Sequence, residues 1–194
     1  MSNTLHYASP IGELLLAERD GALSGLWIEG QKYFPQPLLD CPREDTASPL
    51  LREAAGWLDR YFAGERPPVG RLPLAPQGSG FRQEVWKLLL EIPYGQTTTY
   101  GELSRKLAAR MGLPHMSPQA VGGAVGHNPI SIIIPCHRVL GWDGRLTGYA
   151  GGLERKRWLL EHEGVHIGRL PVPPALLILL GGTAELLLKE LCEV

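Results

Sequence analysis

The chain has 194 residues, 44% of them apolar and 20% charged, with a formal net charge of −1. Its longest apolar run, Ala175–Leu180, is far too short to cross a bilayer. The opening "MSNTLHYASP" has no basic segment followed by an apolar stretch, so neither a signal peptide nor a membrane is expected, and the expected location is cytoplasmic. Three widely spaced cysteines, Cys41, Cys136 and Cys192, with no Cys-x-x-Cys, argue against a disulfide framework and against a cysteine-based zinc site. The charge is uneven: residues 1–80 sum to −3 and residues 81–170 to +4. A modestly basic middle suits a polyanionic partner, and it equally suits a solvated surface.

From Leu5 to Ile28 the pattern is strand, turn, strand, with Ser9-Pro10 and Asp20-Gly21 as breakers. Ser48 as N-cap and Pro49 at the first position open a helix. Its apolar positions are Leu51, Ala55, Leu58 and Phe62, and Gly64 stops it. The stretch "GERPPVGRLPLAPQGSG" (64–80) reads as an interdomain linker.

The remainder reads as mostly helical. Phe81, Val85, Trp86 and Leu89 share one helix face that ends before Pro93. Thr99-x-x-Glu102 has capping-box spacing, which puts Tyr100 in the first turn of a helix running to about Arg110. Ser117 and Pro118 then open a second helix that stops before Pro129. Two short helices joined by a turn suggest a helix-turn-helix, although "MGLPHM" is longer than the usual connection. Ala120, Gly122, Gly123, Ala124 and Gly126 make the second helix poor in propensity. They permit close approach, either to a packing neighbour or to another surface. A glycine-rich loop, "GWDGRLTGYAGG", precedes a basic amphipathic helix ending at Gly164. The tail from Pro171 begins with a proline break, and Ala184–Leu191 has an amphipathic pattern.

Between these elements lies "ISIIIPCHRVL" (130–140), read as a buried β-branched strand that stops at Pro135. A cysteine reacts as thiolate, and a neighbouring imidazole and guanidinium favour that form. Cysteines at the end of apolar runs are also often plain buried hydrophobes. A cysteine hydrolase would need a further histidine, an orienting group and an oxyanion hole. A zinc deaminase would need His…Cys-x-x-Cys ligands, which are absent.

The stretches "AVGGAVGHNPI", "IPCHRV" and "GYAGG…LLEHEG" closely resemble the O6-alkylguanine-DNA alkyltransferases, also called methylated-DNA–protein-cysteine methyltransferases. The resemblance is specific over roughly residues 81–167 and looser before them. It implies an α+β protein: a small N-terminal sheet-plus-helix, ribonuclease-H-like domain (1–77), then a mostly helical catalytic domain with a helix-turn-helix (78–170), then a tail without assigned role (171–194).

By the same resemblance Cys136 is the alkyl acceptor and His137 the base that takes the thiol proton through a water. Glu163 orients that histidine, Asn128 braces the site, and Tyr100 rotates the target phosphate and donates to the departing guanine. Val139, Tyr149, Ala150 and Gly151 wall the pocket for the flipped base. Gln119, Ala120, Gly122 and Gly123 belong to the helix that enters the minor groove, with Arg138 grouped beside them and also taken as structural support of the motif. Gln119 stands where the family commonly has an arginine finger. The implied partner is double-stranded DNA carrying O6-alkylguanine, with O4-alkylthymine as a further candidate, bound by a monomer. No cofactor and no metal are implied, since the cysteine ligands of the family's human-type zinc site are missing here. The alternative is a non-catalytic alkyl-lesion recognition protein, against which Cys136 argues directly.

Overall fold

The computed structural model describes residues 3–35 and 48–166. The tail 171–194, with Cys192, and the region of Cys41 lie outside the described residues. Two breakers delimit three strands, β1 (Asn3–Ser9), β2 (Gly12–Arg19) and β3 (Ala22–Ile28), in an antiparallel meander ordered β1-β2-β3. Asp20 and Gly21 both take positive φ, 52° and 74°, and join Arg19 to its partner Ala22. Such a two-residue turn matches the twist of the strands it connects.

Helix α1 (Pro49–Phe62) covers the sheet, with Ser48 Oγ accepting from the Leu51 amide as expected of an N-cap. Its fully buried positions are Leu51, Ala54, Leu58 and Tyr61, one residue off the expected Ala55 and Phe62, which are half-buried. Gly64 ends it at φ 85°.

The free edge of β3 is shared by two distant segments. The proline-rich stretch read as a linker runs beside it: the Leu23 amide donates to Pro73 O at 2.8 Å and the Ala75 amide to Leu23 O at 2.9 Å. Farther along the same edge, the Leu26 amide donates to Pro129 O and the Ser131 amide to Leu26 O, each at 2.8 Å. An uncovered edge presents unpaired backbone groups; here the chain leading to Cys136 satisfies some of them.

The second half contains α2 (Gly80–Leu90), α3 (Tyr100–Arg110), α4 (Pro118–Gly126) and α5 (Leu153–His162). Both halves of the Thr99–Glu102 capping box form, and Ser117 caps α4. Helices α2, α3 and α4 pack on one another, and Trp86 Nε1 donates to Ala124 O at 3.0 Å. A short parallel pair, β4 (Thr98–Thr99) with β5 (Val139–Leu140), fixes the start of α3 beside the chain just after Cys136. One apolar core runs through both halves, from Ile11 to Leu159.

The expected strand at 130–134 is not formed. After a single bridge to Leu26, the Ile134 amide turns back to Ile130 O at 3.1 Å, and Ile132 takes φ 69°. The isoleucines are buried on all sides, so the apolar run signals burial rather than extension. Asn128 drives the turn: its Oδ1 accepts from the Ile130 amide, and its Nδ2 donates to Ile130 O and Ile134 O. Among the described residues no helix is long and apolar enough to cross a membrane.

Candidate active site

The turn delivers Cys136 into a single 3-10 turn, Cys136–Arg138, rather than onto a strand end. Adjacent strand residues would face opposite ways; the tight turn instead lets three consecutive side chains serve one site. The Cys136 sulfur is 4% exposed and accepts from Asn128 Nδ2 at 3.1 Å. Burial pushes its thiol up, against the Asn128 hydrogen bond, the Lys156 charge and nearby backbone amides, so the resting group is a neutral thiol.

Behind the cysteine, His137 is fully buried, with Nε2 2.8 Å from Glu163 Oε1. Glu163 sits at the end of α5 and receives several more donors. Tyr61 Oη donates to Oε1 at 2.8 Å, Arg138 to both oxygens at 2.8 and 2.9 Å, and the Gly95 amide to Oε2 at 3.1 Å. Burial alone would raise this carboxyl; the hydrogen bonds from His137 and Arg138 and the Arg138 charge outweigh it and hold Glu163 well below the usual carboxylate range. His137 goes down as well, because burial outweighs the pull of Glu163. The resting pair is therefore a neutral imidazole on an ionised carboxylate, with Arg138 supplying the balancing charge. His137 Nδ1, the other ring nitrogen, has no protein partner among the described residues.

In front of the cysteine, Tyr100 opens α3 and its hydroxyl donates to Gly148 O at 3.1 Å. Burial raises its phenol, and the neighbouring Cys136 raises it further. A cleft of about 270 Å³ is lined by Tyr100, Gly122, Gly123, Gly148, Tyr149 and Ala150, among others. Gly148 takes φ 49°, and a Cβ there would lie 3.0 Å from the Tyr100 hydroxyl, so the loop closes on the phenol only with glycine. Gly151 is buried, and a Cβ on it would meet Ile28 and the Tyr149 ring at 2.8 Å. Val139 is fully buried, and the Tyr149 hydroxyl is buried without a protein partner among the described residues.

The fold thus brings Asn128, Cys136, His137, Glu163, Tyr100, Val139 and the 149–151 loop to one place. Gln119, Ala120 and Gly123 lie on the exposed face of α4, whereas Gly122 is half-buried against the Tyr100 ring. Arg138 departs from its grouping with the DNA-facing residues: only 9% exposed, it is held by Glu163 and by Ile92 O and points inward.

Two residues escape the sequence reading. Lys156, on the basic-looking α5, is 0% exposed. Its Nζ donates to Val139 O, Thr147 O and Gly148 O, tying the loop to β5. Burial lowers its pKa to about 8. Tyr61 reaches Glu163 from α1. Helical spacing marks Leu58 as inward, and Tyr61, three positions on, shares that face; nothing in the sequence marks its hydroxyl.

Family models match along both halves: residues 5–76 match the 6-O-methylguanine DNA methyltransferase, ribonuclease-like domain, and residues 80–165 match its DNA binding domain. The chain belongs to the O6-alkylguanine-DNA alkyltransferase family. It is 43% identical over 160 residues to the methylated-DNA–protein-cysteine methyltransferase of Haemophilus influenzae, covering 82% of this chain and 85% of that one. The Mycobacterium bovis protein of the same name is 46% identical over 162 residues, covering 82% and 92%. The crystal structure of Mycobacterium tuberculosis O6-methylguanine methyltransferase superposes with a TM-score of 0.70 at 42% identity, covering 91% of this chain and 99% of that one. The same protein in complex with DNA gives 0.67 at 42% identity, covering 82% and 91%.

Proposed function

We propose that this alkyltransferase repairs DNA by moving the alkyl group of an everted O6-alkylguanine onto Cys136, once per molecule, acting as a cytoplasmic monomer. The observation that carries the proposal is a Cys136 sulfur held by Asn128 Nδ2 at 3.1 Å and followed directly in the chain by a neutral His137 backed by an ionised Glu163. Asn128 aims the sulfur. His137 takes the thiol proton through a water at Nδ1, the nitrogen that Glu163 leaves free. The sulfur attacks the alkyl carbon; the S–C bond forms as the C–O6 bond breaks. Guanine leaves with the electron pair and takes a proton from the Tyr100 hydroxyl, which the proton held on His137 ultimately replaces. A raised phenol suits this step, because it keeps its proton until the leaving group develops charge.

The product is a thioether, which offers water no carbonyl, so the cysteine is spent. Eversion costs a few kcal/mol, less where a lesion weakens pairing. We assign α3 and α4 as the helix-turn-helix, with α4 in the minor groove. This is supported by the outward Gln119, Ala120 and Gly123, whose short or uncharged side chains allow close approach to the sugar-phosphate walls. Gln119 plugs the stack without the cation of the usual arginine. The domain boundary at 77/78 is supported by the two matched ranges, 5–76 and 80–165. The non-catalytic reading is not favoured, since the acceptor cysteine is in place and the relatives carry the methyltransferase name.

The test is mass spectrometry after incubation with a duplex containing O6-methylguanine. One methylene's mass should appear on the Cys136 peptide, stoichiometrically, and none on Cys136→Ala. Repeated turnover, or label elsewhere, would contradict the thioether mechanism.

A further inference from the structure

The turn that leaves β3 belongs to the N-terminal half, yet Lys32 and Tyr33 line the same cleft as Tyr100, Gly122, Tyr149 and Ala150. Three sets of contacts hold it there. The Lys32 amide donates to Ala150 O at 2.9 Å, joining the turn to the loop that walls the cleft. Gln31, 6% exposed, accepts through Oε1 from the Ile28 amide at 2.8 Å and from Ser131 Oγ at 3.3 Å, which locks the turn onto the segment leading to Cys136. Tyr33 stacks on His127, the residue that ends α4, with ring centroids 3.9 Å apart.

Tyr33 is held at φ 63° and remains 51% exposed. A non-glycine residue in this region is strained and persists where surrounding contacts over-determine it. Half-exposed aromatic area gains little from burial, so the strain is not there to fill the core. It sets Tyr33 as a shelf at the end of α4, with the Lys32 ammonium 5.2 Å from the ring centroid. Lys32 is exposed and makes no ion pair among the described residues. The result is a cation without an ion-pair partner among the described residues, placed at the rim of the cleft and beside the end of α4.

We infer that Lys32 is an N-terminal contact to the DNA backbone, taking a phosphodiester that flanks the everted nucleotide, with the Tyr33–His127 stack as its platform. The inference rests on the proposed function for the choice of polyanion. Its chemistry separates it from the alkyl-transfer site: a phosphate contact acts on DNA and not on a free nucleobase.

The experiment compares wild type, Lys32→Ala and Lys32→Arg in two assays. Binding to a duplex is measured against salt, and single-turnover alkylation is measured with free O6-benzylguanine. Lys32→Ala should weaken duplex binding whatever the sequence and lower the slope of log affinity against log salt by about 1, with Lys32→Arg restoring both. The rate with the free base should stay unchanged. An unaltered salt slope in Lys32→Ala would overturn the inference. So would an equal slowing with duplex and free base, which would mean that the turn merely shapes the pocket. Duplex binding is read without alkyl transfer, so a wild type that never labels Cys136 sinks the proposed function and leaves this assignment separately measurable.

Discussion

The two ends of the site are built on opposite principles. At the carboxylate end, Glu163 at the end of α5 collects donors from His137, Arg138, Tyr61 and the Gly95 amide, drawn from α1, the segment before β4 and the Cys136 turn. Every charge there has a partner. At the cleft end, among the described residues, Lys156 is buried on backbone carbonyls with no carboxylate and the Tyr149 hydroxyl lacks a protein partner, while the Cys136 thiol is pushed up by burial. A fully satisfied buried network rigidifies; a partly satisfied one is costly. The protein finishes the end that orients the base and leaves the other end for substrate to complete.

The largest loss is expected at Glu163. Glu163→Gln leaves the Arg138 guanidinium buried against a neutral amide. The expected loss is about 3–5 kcal/mol, the usual consequence of removing one partner of a buried pair. At about 2–4 °C per kcal/mol for a chain of this size, the melting temperature should fall by about 6–20 °C. The wild type should also show an acid limb. Glu163 titrates below its unfolded value of about 4.3, so its contribution is complete above that value and is lost as pH falls toward the folded one. His137 acts in the same direction from about pH 6.5 downward, because the unfolded imidazole charges while the folded one resists. Stability from urea midpoints should therefore rise with pH across the acid range, and Glu163→Gln should flatten the part below about pH 5. An unchanged limb in that variant would mean that the carboxylate is not the group being titrated.

Lys156 probes the cleft end. In Lys156→Met the carbonyls of Val139, Thr147 and Gly148 lose their common donor, and Thr147 and Gly148 also anchor the Tyr100 hydroxyl. Misplacing a reacting group by about 1 Å can cost ~100-fold, so single-turnover transfer should slow by about that factor. Stability should change less than in Glu163→Gln, since a buried ammonium without a carboxylate is removed together with its desolvation cost. The folded lysine loses its proton near pH 8 while the unfolded one keeps it to about 10.4. Across that window the unfolded state binds more protons at this residue, so the stability of the wild type relative to the methionine variant should climb with pH. Equal transfer rates in the two proteins would remove Lys156 from any positioning role.

What the sequence makes legible follows the same division. Helix starts at Ser48, Thr99 and Ser117, and the stops at Gly64 and Gly164, depend on chemistry within a few residues, and all appear in the structure. The N-terminal strands, the order of the helices and the family are likewise readable. The Ile130–Ile134 run misleads because composition reports burial but not direction; the turn is imposed by Asn128 and by the edge of β3, contacts that periodicity does not carry. Residues 64–80 look like a free linker for the same reason, since their partner Leu23 lies far back in the chain. Lys156 reads as one more solvated charge on a basic helix until the carbonyls of a separate loop close over it. Local chemistry is written in local sequence; the convergence of distant backbone is not.

The smallest expected effect is the sharpest test of an end left open for substrate. Tyr149 carries a buried hydroxyl with no protein partner among the described residues, and burial lifts its phenol well above the usual value. A buried polar group left unpaired costs about 1–3 kcal/mol, so a structure optimised only for stability would have phenylalanine here. Tyr149→Phe should therefore leave the melting temperature unchanged or raise it, by up to about 1 kcal/mol in stability. It should at the same time slow alkyl transfer from duplex, because the hydroxyl then has no role left but to meet the incoming nucleotide. Stability and rate moving in opposite directions at one oxygen is what distinguishes a group held for substrate from a packing defect. A variant that is more stable and equally fast would identify the hydroxyl as the latter.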